Sequence, residues 1–406
     1  MTDRPGSGPV TLAGLAAMVA ETLGVPPARE AVDDPLPPVA TEPVATEPVA
    51  TGRDVTGPGV TGRGVAGPGA TGRVEAVAQE HGVLGLLPAH GPSGAAVTRF
   101  RAESRDRLVR ALADLRTVAA GARRVGAPLA VLKGVALATS VYPRPDLRPF
   151  ADVDVLTTPA AFGDVLAELE AAGGRVRTRN WTAMSELRSS EVTVLMPAGT
   201  AVDLHWHVVN LAGLRRRFRL GTQTLLDPGP GGGAGPEGTD VPRPEAHLGY
   251  VCWHLVVSGG VRLLWACDVE LLAQRGGVVA ADLLAWTRRT RTTLTVAVAL
   301  DFAAALFPGG AAARLAAAFP PSPWRRANAR LKHAVVSRPV GRWSGSFLPR
   351  ATRTTTWDSL AALRPPLAAL TGRLAPDQET LDIMPIDSGG PAGRAAYLRA
   401  VATGRW

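Results

Sequence analysis

The chain has 406 residues, 46% of them hydrophobic, and carries 44 Lys and Arg against 35 Asp and Glu for a formal net charge of +9. At roughly 150 residues per domain this allows two or three domains with a sizeable core. No apolar stretch reaches the ~18 residues a membrane-crossing helix needs, and two cysteines, Cys252 and Cys267, exclude a disulfide framework or a four-cysteine zinc site. The opening MTDRPGSGPV lacks the basic start and apolar run of a signal peptide. The expectation is a cytoplasmic protein with no membrane insertion.

Along the chain, residues 10–22 have apolar positions at helical spacing, ending before Gly24 and Pro26, and predict a helix within an N-terminal segment 1–25. From Pro38 the sequence repeats in fives (PVATE PVATE PVATG), closing at Arg73. Five matches neither the helical nor the strand period, and Pro and Gly oppose both, so 26–73 reads as a disordered linker. Helical patterning returns at 97–124, with Leu108, Leu112 and Leu115 on one face. A short strand over 128–132 and a helix from Gly134 to about Tyr142 follow, then a proline-rich loop, 143–149.

Residues 150–156 (FADVDVL) alternate as a strand, and Thr158-Pro159 signals a helix start. That helix ends at Gly173-Gly174, before a strand near 174–179 and a hairpin of 190–196 and 201–208 turning through 197–200. These elements form a domain over 74–226. The Gly/Pro-rich stretch 227–244 reads as a second linker, and 245–406 as a helical C-terminal domain with a basic segment.

The chemistry concentrates in a few residues. Asp152 and Asp154, two apart in a strand, send both carboxylates from one face while Val153 and Val155 point into the core. Two like charges so close repel unless a cation lies between them, and hard Mg²⁺ prefers such oxygens. A solvated strand face is the structural alternative. Lys133-Gly134 sits where a strand gives way to a helix, a place suited to phosphate. Lys133 is one of only two lysines, with Lys332, in a chain that otherwise uses arginine. Arg144 and Arg148 flank the loop before the aspartates, and the later hairpin strand supplies Asp203.

The run VLKGVALATSVYPRPDLRPFADVDVL, followed by a helix, AAGG and then VDLHW, resembles the uncharacterised nucleotidyltransferase family of the DNA polymerase β-type nucleotidyltransferase superfamily. The resemblance covers roughly residues 74–300, with Arg262, Trp265 and Asp268 in matching places. It implies an α/β (α+β) fold: a small mixed, largely antiparallel sheet flanked by helices, plus a C-terminal helical domain. It also implies that Asp152, Asp154 and Asp203 are catalytic and hold Mg²⁺, or Mn²⁺ in its place, and that Lys133, Gly134 and Arg148 bind the nucleotide, with His205 and Arg144 in support. Lys133-Gly134 stands where the wider superfamily has a Gly-Ser turn. The implied reaction moves a nucleoside monophosphate from an NTP, ATP favoured, to an unidentified acceptor and releases pyrophosphate.

Two readings stand beside it. One is a catalytically silent protein that keeps the fold for binding; the other, a nucleotidyltransferase acting on RNA. The second draws on eight basic residues and no acid over 324–353, with Trp324 and Trp343 interleaved. A solvated basic surface explains the same segment. The sequence leaves acceptor, nucleotide preference and oligomeric state open. Asp203, His205 and His207 alternate on one strand as a transition-metal site would, but the resemblance employs Asp203 with Mg²⁺.

Overall fold

The computed structural model describes residues 12–25, 70–210, 212–227, 233–258, 262–321, 325–326 and 389–404. Helices α1 (Leu12–Leu23) and α2 (Ala70–Glu80) lead into the long α3 (Gly94–Arg124). Then come β1 (Ala130–Val131), α4 (Val135–Ser140), β2 (Asp152–Leu156), α5 (Phe162–Ala171), β3 (Arg175–Val176) and α6 (Trp181–Leu187). The hairpin β4 (Glu191–Leu195) and β5 (Ala201–His205) is followed by α7 (Ala212–Arg215), α8 (Gln223–Leu226), β6 (Gly233–Ala234) and β7 (Asp240–Val241). The helices α9 (Pro244–Val257), α10 (Leu263–Arg275), α11 (Ala280–Thr290), α12 (Thr293–Leu306) and α13 (Ala311–Ala317) come next, and α14 (Gly390–Thr403) is the last described element.

The sheet runs β3-β4-β5-β2-β1-β7-β6. It is mixed and mostly antiparallel, with β2 parallel to β5 and β1 parallel to β7. Its register follows from alternation. Val153 and Val155 on β2, Val202 and Leu204 on β5, and Val192 and Val194 on β4 are all buried on one face, in a core shared with α3 and α5. Burying such a side chain is worth roughly 1.5–3 kcal/mol, and a one-residue slip of β2 would exchange its valines for aspartates. The opposite face is therefore free to carry carboxylates. A second apolar core joins α1, α2 and α9 to α13. There Gly249 lets α9 approach α11 closely: a Cβ would lie 2.1 Å from the Trp286 ring.

The mixed α/β expectation matches the structure, and several boundaries change. The final repeat residues 70–73 form the first turn of α2, so the low-complexity linker stops short of Arg73. The remainder of the repeat, 38–69, lies outside the described residues. Thr158 accepts a bond from the Ala161 amide within a turn, and α5 starts only at Phe162. The stretch 227–244 is more than a linker, because it contains β6 and β7, and Asp240 pairs with Ala130 at the sheet edge. Helix α14 joins the sheet-side core through Tyr397 and Val401, although the sequence groups it with the C-terminal helices. No described helix is long and apolar enough to cross a membrane.

Deleting 38–69, with Ala70 to Arg73 retained, is expected to leave the melting temperature within ~1 °C, because the repeat has no periodic apolar face to bury. A fall of several degrees on thermal melting would show that the repeat contributes to folding.

Candidate functional site

The polar face of β2, β5 and β4 collects the carboxylates. Asp154 is in register with Asp203, which in turn opposes Thr193, and Glu191 opposes His205. Thr193 Oγ1 donates to Asp203 Oδ1 at 2.6 Å. Two groups meet Asp154 Oδ1: Lys133 Nζ and His205 Nε2, each at 3.2 Å. On its far side the His205 ring sets Nδ1 3.2 Å from Glu191 Oε2, without hydrogen-bond alignment. Asp154 Oδ2 is buried and has no hydrogen-bond partner.

Lys133 is held where β1 gives way to α4. Gly134 has φ 55°, and a Cβ there would lie 3.2 Å from the Asp152 carbonyl oxygen, so glycine lets this turn press against the aspartate strand. From α9, His247 Nε2 donates to the Leu132 carbonyl at 2.7 Å and fixes the preceding residue.

The charges perturb one another strongly. Burial alone would raise the Asp154 carboxyl, but Lys133 and the His205 hydrogen bond hold it well below the usual carboxylate range. The charge of Asp154, then burial, pushes Asp152 up. Burial, with the charges of Asp154 and Asp152, pushes Asp203 up to about 6, and burial pushes Glu191 up to about 7. For His205 burial disfavours the imidazolium, yet Glu191 and Asp154 outweigh it and push the ring up to about 9. Four carboxylates thus face two cations.

Other residues expected at the site are engaged elsewhere. Arg148 is held in a buried ion pair. Its Nε and Nη2 donate to Asp268 Oδ1 and Oδ2 at 2.8 and 2.7 Å, with the two side chains only 5% and 3% exposed. Tyr142 donates to the same Asp268 Oδ1 at 2.7 Å. A guanidinium committed in this way holds its loop to α10 and leaves no free fork for a triphosphate. Arg144 closes its own loop on Asp146, which also accepts from Arg105. His207 accepts from the Val209 amide, and Trp206 donates to Tyr397 Oη. Glu191 and Thr193 are the partners the sequence reading missed. The tight turn between Met196 and Thr200 sets the register that brings them opposite His205 and Asp203.

A divalent cation suits this donor set. The candidate ligands are hard oxygens on neighbouring in-register strands, their charge exceeds that of the nearby cations, and one buried Asp154 oxygen has no partner. Among the described residues no three ligating side chains converge as they stand. Asp154 Oδ1 is occupied by Lys133 and His205, and Asp203 Oδ1 by Thr193.

The small mixed sheet presents paired carboxylates beside a strand-to-helix glycine turn, as the resemblance to nucleotidyltransferases implies. A family model described as uncharacterised nucleotidyltransferase matches residues 71–308, well over half the chain, and the protein belongs to that family. Neither a curated protein nor a solved structure matches it.

Proposed function

We propose that the protein is an Mg²⁺-dependent enzyme that transfers a nucleoside monophosphate from an NTP, ATP favoured, to a hydroxyl or similar acceptor. The observation that carries this reading is the carboxylate-rich sheet face, with Asp152, Asp154 and Asp203 on parallel in-register strands and Asp154 Oδ2 buried without a partner. Mg²⁺, or Mn²⁺, held by these three aspartates would neutralise the triphosphate and polarise the reacting phosphoryl group. Asp203 takes the proton of the acceptor hydroxyl as its oxygen attacks the α-phosphorus. The bond from the α-phosphorus to the bridging oxygen breaks, and pyrophosphate leaves. Thr193 holds one oxygen of Asp203 and so orients the carboxylate. Lys133 and the glycine turn at 134 lie beside the strand and receive the phosphates, while Arg148 acts as a positioning residue through Asp268.

Thermal melts test the reading. Mg²⁺ with ATP at ~100 times its dissociation constant is expected to raise the melting temperature by about 5 °C, with smaller shifts for either alone. No shift with any of the four NTPs would favour a catalytically silent binding protein. The basic segment on which the RNA reading rests, 324–353, lies outside the described residues except Arg325 and Arg326, and Arg325 is paired with Asp301.

A further inference from the structure

We propose that Lys133 is a displaceable counter-charge: it neutralises Asp154 before substrate arrives and passes to the phosphates when metal and nucleotide enter together. This rests on the nucleotidyl-transfer reading and adds an order of events to it.

Several observations converge on this lysine. Its ammonium lies 3.2 Å from Asp154 Oδ1 and its side chain is 19% exposed, against 4% for Asp154 and 8% for His205. Of the two side chains meeting that oxygen, Lys133 is the more exposed. Its backbone is pinned on both sides, by His247 on the Leu132 carbonyl and by the close approach of Gly134 to Asp152. The flexible four-carbon stem can therefore carry the charge a few ångströms while the turn stays still. An arginine would grip a carboxylate with two parallel hydrogen bonds and release it less readily. Lysine stands here in a chain whose basic residues are otherwise arginine apart from Lys332.

The energetic consequence is a coupling between two ligands. Mg²⁺ alone must displace the ammonium and leave it near a like charge with no new partner. Mg²⁺ with nucleotide brings the phosphate that receives it. Each ligand thus strengthens the other.

The test is calorimetric titration of the full chain with MgCl₂ alone, and with MgCl₂ plus α,β-methylene-ATP, in wild type and Lys133→Met. The variant is expected to bind Mg²⁺ alone about 5–10-fold more tightly and the Mg²⁺–nucleotide pair at least ~10-fold more weakly, as removal of a near cation and a phosphate contact requires. The opposite signs are the signature, since a merely structural lysine would not produce them. If both affinities fall, or Mg²⁺ alone is bound as in wild type, the proposal is overturned. A wild type that binds no Mg²⁺–nucleotide pair would instead remove the functional reading beneath it. Should Lys133→Met not fold, Lys133→Arg carries the test. It is expected to bind Mg²⁺ alone no more tightly than wild type and to lose the coupling, and wild-type coupling in that variant would sink the idea.

Discussion

Replacing Asp268 by asparagine is expected to destabilise the protein by about 3–5 kcal/mol, the usual cost of breaking a buried ion pair from one side. Arg148 would be left buried with its fork facing a neutral amide, and Tyr142 would lose its carboxylate acceptor. Both side chains are almost wholly shielded, so solvent screening offers little relief. The double variant Arg148→Met with Asp268→Leu should cost clearly less than the sum of the single changes, because it removes both charges at once. Urea denaturation of Asp268→Asn, of the single changes Arg148→Met and Asp268→Leu, and of the double variant measures this. If Arg148→Met kept full stability yet lost nucleotide binding, the arginine would return to the role of a phosphate ligand.

Asp152→Asn and Asp154→Asn are expected to abolish Mg²⁺–nucleotide binding alike and to lower any transfer rate by ~10²-fold or more, since each removes a metal ligand. Their effects on the metal-free protein should differ. Asp152 is pushed up mainly by the charge of Asp154, so its neutral replacement relieves repulsion and should leave stability equal or slightly higher. Asp154 is the hub on which Lys133 and His205 converge, and its replacement leaves both cations without their carboxylate. A loss of about 3 kcal/mol is expected there. From the sequence alone Asp154→Asn relieves a repelling pair, and the structure reverses that expectation. Melting curves with and without Mg²⁺ and ATP decide the matter. Two neutral variants that still bind the pair would show that these aspartates hold no metal.

Which parts of this were visible in the sequence depends on range. The valine–aspartate alternation of β2 and the hairpin of β4 and β5 are local patterns, but Asp203 comes beside Asp154 through the long-range pairing of β2 with β5, which is parallel where the sequence suggested an antiparallel neighbour. Glu191 and Thr193 were equally local but needed the register of the turn, which no periodicity reveals. Asp268 stands 120 residues from Arg148, and nothing near Arg148 announces that its charge is spent. The sequence therefore offered two arginines to the nucleotide where the fold uses both to hold loops. Strands β6 and β7 are two residues each and exist because β1 presents an edge, so their Gly/Pro-rich surroundings read as linker. Helix α6 was missed for its brevity, although Asn180 caps it by accepting from the Ala183 amide.

The contacts that pin the aspartate strand to the helices bear on how the protein can admit an acceptor. Asp268 on α10 holds Arg148 and Tyr142, and His247 on α9 holds the Leu132 carbonyl, so the seam is fastened on both sides of the Lys133 turn. Such a joint does not hinge at modest cost. On the nucleotidyl-transfer reading, an acceptor then enters by the movement of individual side chains with the backbone of the seam held still.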